Sequence, residues 1–117
     1  MHDFRRLHVW QRSRELAIAL DSLARSFPPR DRGIVSGQLR RSALSIPANI
    51  AEGCGKNSRR ETIRFLEIAS GSARETESHL LIAADLNYLP SSTREELLSS
   101  IKSIQRMLLG LITNLPK

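Results

Sequence analysis

Apolar side chains recur every three or four residues in four stretches of the chain, and this spacing predicts four amphipathic helices. The predicted helices cover about 7–27, 31–53, 59–87 and 92–115. No long run alternates between polar and apolar residues as a half-buried strand does. The pattern therefore predicts an all-α fold, with residues 1–117 as a single domain. Because each connection is short, consecutive helices should be antiparallel neighbours in an up-and-down four-helix bundle.

Capping residues are predicted at three helix starts. Asp31 is expected to cap the second helix, because its carboxylate would lie near free amide hydrogens and the positive end of the helix dipole. Ser58 with Glu61, and Ser92 with Glu95, match the capping box, in which the two side chains reciprocally satisfy backbone donors. These pairs predict the starts of the third and fourth helices.

The second predicted helix contains a proline, Pro47, within QLRRSALSIPANIAEG (38–53). Proline has no N–H to give the carbonyl of Ala43, and its ring crowds that carbonyl, so a kink is expected. Helical spacing continues through Asn49 and Glu52, which favours a kink over the end of the helix. The sequence therefore predicts a second helix that is kinked at Pro47 and ends at the glycines that follow.

The middle of the third predicted helix, Ala69–Ala73, has no bulky side chain. Gly71 in a helix interior costs about 1 kcal/mol relative to alanine, so a close approach of the second helix should offset it. Replacing Gly71 with leucine is then expected to destabilise the bundle. Asn49, Glu52, Gly71 and Ser72 are the candidates for a structural network between helices or between subunits.

The fourth predicted helix has an apolar surface wider than a single bundle core requires. Leucine and isoleucine follow the coiled-coil rhythm from Leu97 to Leu115, and Leu98, Leu109 and Ile112 lie beside that seam. One interpretation is a partner surface, of which self-association is the simplest form. The alternative is a broad but ordinary core face.

The charge of the chain is uneven along its length. The formal net charge is +6, made of +7 in residues 1–60 and −1 in residues 61–117. A basic half suggests a surface that faces a polyanion such as a nucleic acid. The alternative is an arginine-rich protein whose charges are simply solvated.

Three cations, Lys56, Arg59 and Arg60, cluster at the predicted start of the third helix. Free amide hydrogens and the helix dipole already favour an anion there. Cations at this end cost about 0.3–1 kcal/mol each, and such a conflict with stability is typical of a functional site. Phosphate binding is therefore one hypothesis, and solvated side chains are the other.

Arg40 and Arg41 are adjacent on the second predicted helix and point about 100° apart. A functional interpretation places at least one of them on a phosphate as a bidentate donor. A structural interpretation, which the residues favour, pairs one of them with an acid of the third helix or of a neighbouring subunit. The acids in question are Glu67, Glu75 and Glu77.

Catalytic and metal-binding patterns are weak. Cys54 with His79 and Asp85 could be combined as a nucleophile and a base, but nothing in the sequence supports the geometry of such a site. His2, His8 and His79 lack the spacing of metal ligands. We expect no enzyme activity, no metal and no cofactor.

Trp10 and Phe65 are expected in the core rather than as platforms for base stacking, because aromatic residues make up only 4% of the chain. A single cysteine excludes an internal disulfide bond and is typical of a reducing compartment. The N-terminus lacks the apolar region of a signal peptide, and the longest apolar run, 80–84, is too short to cross a bilayer. These features predict a cytoplasmic protein without membrane contact.

Two long segments, QLRRSALSIPANIAEGCGKNS (38–58) and FLEIASGSARETESHL (65–80), resemble the bacterial four-helix-bundle family of 23S ribosomal RNA intervening-sequence proteins. FRRLHVWQRSRELA (4–17) and SFPPRDRGI (26–34) fit the same pattern, so the resemblance extends from Phe4 to about Leu89. Two positions depart from it: Arg6 stands where an acidic residue is common, and Thr62 where an aromatic one is usual.

The resemblance implies a left-handed up-and-down bundle, usually a homopentamer, with no attributed catalytic residues and suspected nucleic-acid binding. A related group accompanies the reverse transcriptase of diversity-generating retroelements. Two functions are therefore expected as alternatives. One is a homo-oligomer whose basic surface binds RNA or DNA through phosphates, and the other is an oligomeric adaptor for a partner protein.

Overall fold

The computed structural model describes residues 3–116 and consists of four α-helices with two short 3-10 turns. The helices are α1 His8–Arg25, α2 Ile34–Cys54, α3 Arg59–Asp85 and α4 Ser91–Thr113. The 3-10 turns, Phe4–Arg6 and Pro29–Asp31, precede α1 and α2. No strand occurs between residues 3 and 116, so the prediction of an all-α fold is confirmed.

Hydrogen bonds between neighbouring helices show that the helices are antiparallel. Ser42 of α2 is bonded to Thr76 of α3. Gly53, near the end of α2, is bonded to Thr62, near the start of α3. α1 contacts α2 and α4, and α3 contacts α2 and α4. In the described residues, helices that are diagonal to each other make no such contact. The result is the predicted up-and-down bundle, about 48 Å long.

The core is aliphatic, as the low aromatic content requires. The large apolar side chains that are fully buried are Leu20, Leu39, Ile46, Ile50, Leu66, Leu80, Ile101, Ile104 and Leu108. Alanines from α1, α2 and α3 fill the remaining space and allow the helices to approach. Trp10 is only half-buried and packs against the edge of this core, with its ring 5.0 Å from that of Phe4.

α2 continues past its internal proline. The helix is unbroken from Ile34 to Cys54 and includes Pro47. The expectation that the helix does not stop at Pro47 is therefore confirmed. This continuity places the basic connection between α2 and α3 at one end of the bundle.

The start of α2 is capped differently from the prediction. Its N-cap is Gly33, with φ of 74°, and Asp31 lies two residues earlier. The buried Asp31 carboxylate accepts the amide hydrogens of Val35 and Ser36, both at 3.0 Å, and the Ser36 hydroxyl at 2.8 Å. Burial raises the pKa of Asp31, but the hydrogen bonds from Ser36 and Val35 outweigh it and hold that pKa below its usual value. Asp31 thus accepts free amide hydrogens at the start of α2, as predicted, although Gly33 and not Asp31 is the N-cap residue.

The two predicted capping boxes have different outcomes. The Ser58 hydroxyl oxygen accepts the Glu61 amide hydrogen at 3.1 Å, so Ser58 caps α3 as expected. The box at Ser92 is wrong, because α4 begins at Ser91 with Pro90 as its N-cap, two residues before the predicted cap. Proline fits that position because it has the extended backbone that precedes a helix.

Candidate nucleic-acid interface

Lys56 lies in the connection between α2 and α3 and is already partnered. Its Nζ is 3.2 Å from a carboxylate oxygen of Glu52 and 5.1 Å from the centre of the Phe65 ring. The ion pair spans one turn at the end of α2, and the ring holds the ammonium group over α3. Phe65 is half-buried and supports this cation, although the sequence predicted a place in the core. Lys56 is thus oriented but partly neutralised.

Arg59 and Arg60, the first two residues of α3, are exposed and make no salt bridge within residues 3–116. The Arg59 Nε donates to the Leu115 carbonyl oxygen at 3.3 Å. The nearest acid in the chain, Glu61, lies 3.7 Å from Arg64 instead. Two guanidinium groups therefore stand beside the α3 N-terminus without a carboxylate partner among the described residues.

A cleft of about 540 Å³ adjoins two of the three clustered cations, Lys56 and Arg59. One wall is the α2–α3 connection, including Lys56 and Arg59, and the other is the chain after α4, including Leu115. Leu115 is only 8% exposed, because the chain turns back against the bundle after Thr113. Sequence reasoning missed this contact, since nothing local to Arg59 identifies a carbonyl group 56 residues away. The bond to the Leu115 carbonyl oxygen therefore holds Arg59 at the end of the bundle, on the wall of this cleft.

Arg40 is in a structural ion pair, but with a partner on a different helix from the one predicted. Its Nε lies 2.8 Å from Asp21 of α1, and Arg25 binds the other carboxylate oxygen of Asp21 at 3.0 Å. Hydrogen bonds from Arg25 and Arg40 hold the pKa of Asp21 below its usual value. A pairing of Arg40 with an α3 glutamate of its own protomer is wrong, because Arg40 pairs instead with Asp21 of α1.

Arg41 is exposed, and its partner in the described structure is the neighbouring Gln38 side chain on the same helix. Of the α3 glutamates proposed for it, Glu77 binds Lys102 of α4 at 2.8 Å and is not available. Glu67 makes no salt bridge within residues 3–116, and Glu75 lies 3.5 Å from His79. A pairing of Arg41 with α3 inside one protomer is therefore wrong.

Polar side chains join α2 to α3 along their contact. The Asn49 amide donates to the Ser45 carbonyl and hydroxyl oxygens, at 2.8 and 2.9 Å, and the Ser45 hydroxyl lies 2.8 Å from that of Ser72. Asn49 and Ser72 thus belong to one inter-helix network, as predicted, while Glu52 lies outside it and binds Lys56.

A second bond of this kind, from the Thr76 hydroxyl to that of Ser42 at 2.9 Å, was not predicted. Both side chains are buried. Their polar residue types at apolar positions of the helical pattern are the signal that could have identified the pair.

Gly71 is not a point of close helix contact. It is exposed, and an added Cβ would meet nothing within 4 Å. The close contact is at Gly53, where an added Cβ would lie 3.2 Å from the Phe65 Cβ and 3.2 Å from the Thr62 carbonyl oxygen. The prediction for Gly71 is wrong because this residue lies about 100° around α3 from Ser72, which faces α2. Its expected role in protomer stability has no basis.

The residues considered for catalysis do not meet. Cys54 is buried at the end of α2 beside the start of α3, and burial raises the pKa of its thiol. His79 is on α3, roughly 25 Å along the helix axis from Thr62, which bonds to Gly53 beside Cys54. The His79 side chain lies next to Glu75. No cluster of three metal-ligating side chains occurs in the part of the chain that the structure describes. Likewise, none of the described helices combines the length and the apolar character needed to cross a bilayer.

Comparison with known proteins agrees with this architecture. The family model of 23S rRNA-intervening sequence proteins matches residues 5–110. A crystal structure of a protein of unknown function, from the S23 ribosomal protein family of Bacteroides thetaiotaomicron, is 30% identical to the chain with a TM-score of 0.83. That match covers 89% of this chain and 97% of the other. No functionally curated protein matches the chain. The chain therefore belongs to the 23S rRNA-intervening sequence protein family.

Proposed function

We propose that the chain is a non-enzymatic, cytoplasmic, homo-oligomeric helical bundle whose basic surface binds RNA or DNA through backbone phosphates. The subunit number of five follows from the family resemblance. The observation that carries the proposal is the pair Arg59 and Arg60, exposed beside the α3 N-terminus with no carboxylate partner among residues 3–116. Lys56 lies at the same place but is paired with Glu52, and Arg40 is held by Asp21.

The physical basis of binding is charge pairing with phosphate oxygens. A guanidinium group presents parallel N–H donors that match a phosphate, and charged hydrogen bonds of this kind are stronger than neutral ones. Amide hydrogens at a helix start favour the same anion. Phosphate contacts read no base sequence, so we expect little sequence preference. An oligomer would multiply a weak patch by avidity.

The proposal of a non-enzymatic protein is supported by the state of the one candidate nucleophile. Cys54 is buried, and burial raises the pKa of its thiol, so the reactive thiolate is disfavoured. Its imagined base, His79, lies too far along α3 to take its proton.

A second candidate is an oligomeric adaptor for a partner protein. It is favoured by the large apolar side chains that the bundle leaves exposed: Ile18, Ile34, Leu44, Ile68, Leu81, Ile82, Leu86 and Leu109. A partner that co-purifies after nuclease treatment would support the adaptor. Loss of every partner on nuclease treatment would exclude it.

The first proposal is tested by binding of a labelled RNA hairpin and a matched DNA duplex over a series of salt concentrations. The variant is Arg59→Gln with Arg60→Gln. Its matched control is Arg74→Gln with Arg106→Gln, two exposed arginines of α3 and α4 that make no salt bridge in the described chain. In a plot of log affinity against log salt, we expect the variant's slope to be shallower by about 0.9 for each duplex phosphate that the variant no longer neutralises. Equal slopes in variant and control, or binding insensitive to salt, would contradict the proposal.

A further inference from the structure

α3 presents a stripe of five residues to solvent on the side away from the core, at the heptad spacing of a helix that packs against another helix. The stripe is Ile68, Gly71, Glu75, Ser78 and Ile82. Ile68 is 40% exposed and Ile82 46% exposed, so apolar surface lies at both ends. Between them, an added Cβ on Gly71 would meet nothing. The stripe therefore contains a recess, and no contact in the described protomer explains the glycine that forms it.

Another side of the bundle presents two large apolar side chains to solvent. Ile18 of α1 and Leu44 of α2 are both 60% exposed. They line a shallow apolar cleft with Trp10 and Pro47. Both side chains are largely exposed beside this cleft, and the pair Ile18 and Leu44 is called the ridge below.

We propose that the ridge of one copy of this chain packs onto the α3 stripe of a second copy, with Leu44 in the recess at Gly71. Such packing is the knob-into-hole contact of helices, in which a large side chain enters a space left by its neighbours. The inference rests on the self-association in the proposed function and does not involve its nucleic-acid site.

Charge supports this pairing of two different surfaces. Arg41 lies one turn before Leu44, and within residues 3–116 its partner is the neutral Gln38. Glu75 lies one turn after Gly71 and is exposed, and its ion-pair partner within residues 3–116 is His79 at 3.5 Å. With Leu44 at Gly71, the Arg41 guanidinium comes within reach of the partner copy's carboxylate at position 75. A ridge placed on a second ridge would instead bring two Arg41 side chains together, which is unfavourable.

Contact between two different surfaces has a consequence for assembly. Each copy in a pair keeps one surface unused, either a ridge or a stripe, so further copies add until a ring closes. A self-complementary contact would stop at two copies. A contact between two different surfaces and a self-complementary contact therefore give different assemblies when only one surface is altered.

The test uses one variant for each surface, Leu44→Glu for the ridge and Gly71→Leu for the stripe, with mass measured by light scattering on nuclease-treated protein. The wild type is expected to assemble, and each variant alone to have the mass of one chain, 13.1 kDa. A mixture of the two variants is expected to form a pair with one chain of each, because each supplies the surface that the other lacks. A monomeric wild type, assembly of either variant alone, or a mixture that stays monomeric would overturn the proposal.

Two controls separate assembly from folding. Helix content by circular dichroism is expected to be unchanged in both variants, and Ile82→Glu replaces Gly71→Leu if the latter fails to fold. Leu109→Glu alters an equally exposed apolar residue of α4 and is expected to leave the mass of the wild type unchanged. Loss of assembly in Leu109→Glu would overturn the assignment of the surfaces.

A charge reversal tests the register. Arg41→Glu alone and Glu75→Arg alone are expected to weaken assembly, and the two changes combined in one chain to restore it. If the combined variant is no better than the single ones, the Arg41–Glu75 contact is wrong. The assembly tests contain no nucleic acid, so a negative result in them does not change the salt-series result for Arg59 and Arg60. A negative salt-series result likewise does not change the outcome of the assembly tests.

Discussion

The α2–α3 hairpin contains two regions with opposite character. The contact between α2 and α3 is called the α2–α3 seam here. Along this seam the hydroxyl groups of Ser42 and Thr76, and those of Ser45 and Ser72, are hydrogen-bonded, and Gly53 allows the two backbones to approach. At the start of α3, Arg59 and Arg60 have no carboxylate partner in the described chain. The seam uses its polar groups for stability, and the start of α3 leaves its charges for an external anion. The difference separates residues that hold the bundle together from residues that can act outside it.

The largest expected effect is on the seam, from Gly53→Leu. The new side chain would begin 3.2 Å from the Thr62 carbonyl oxygen, which cannot move without shifting α3. We expect the free energy of unfolding to fall by about 1–3 kcal/mol, typical of overpacking. Gly71→Ala, at an open position, should instead raise it by up to about 1 kcal/mol. Urea unfolding in the Leu44→Glu background measures both without a contribution from assembly. Equal effects of the two substitutions would remove the distinction between these glycines.

The next effect is on binding, from Arg59→Gln with Arg60→Gln. We expect the affinity for RNA at low salt to fall roughly tenfold or more, which corresponds to at least about 1.4 kcal/mol. The urea midpoint should not change, because neither arginine makes a salt bridge in residues 3–116. A lower urea midpoint with unchanged RNA affinity would show that Arg59 and Arg60 stabilise the bundle and do not bind RNA.

A smaller effect is expected from Thr76→Val, which keeps the shape of the side chain. The substitution removes the hydroxyl that donates to Ser42 and leaves that buried oxygen with one partner fewer. The free energy of unfolding should fall by about 0.5–1.5 kcal/mol, with unchanged RNA affinity. Urea unfolding beside the binding assay measures both quantities. An altered affinity would mean that the seam also shapes the binding site.

The smallest effect is expected from Arg40→Gln, and it depends on pH. The pKa of Asp21 lies below its ordinary value of 3.8, first because of Arg25 and then because of Arg40. The stabilisation is therefore present above the ordinary pKa of the carboxyl group and is lost as the pH falls through the lowered pKa. Near neutral pH the variant should melt within a few degrees of the wild type, because the pair is exposed. The difference in melting temperature between the variant and the wild type should disappear in acid. A difference that grows in acid would contradict the pairing of Arg40 with Asp21.

Local patterns were enough to predict much of this fold. Pro28 and Pro29, the Ser58 cap and the apolar periodicity define the helices, because each acts within a few residues of itself. Lys56, Arg59 and Arg60 could be proposed as one cluster for the same reason. The sequence failed at Gly71 and Arg40, where the answer depends on which side of a helix faces which neighbour. That rotation is set by packing across the whole bundle, which also decides that Arg40 meets Asp21 of α1.

The most direct test of the central claim is the protection of individual arginines by RNA. A dicarbonyl reagent that modifies guanidinium groups would be applied with and without an RNA hairpin, and each site followed by mass spectrometry. The account predicts slower modification of Arg59 and Arg60 when RNA is bound, with Arg74 and Arg106 unchanged. Equal rates at Arg59 and Arg60 with and without bound RNA would show that the start of α3 does not contact the phosphates.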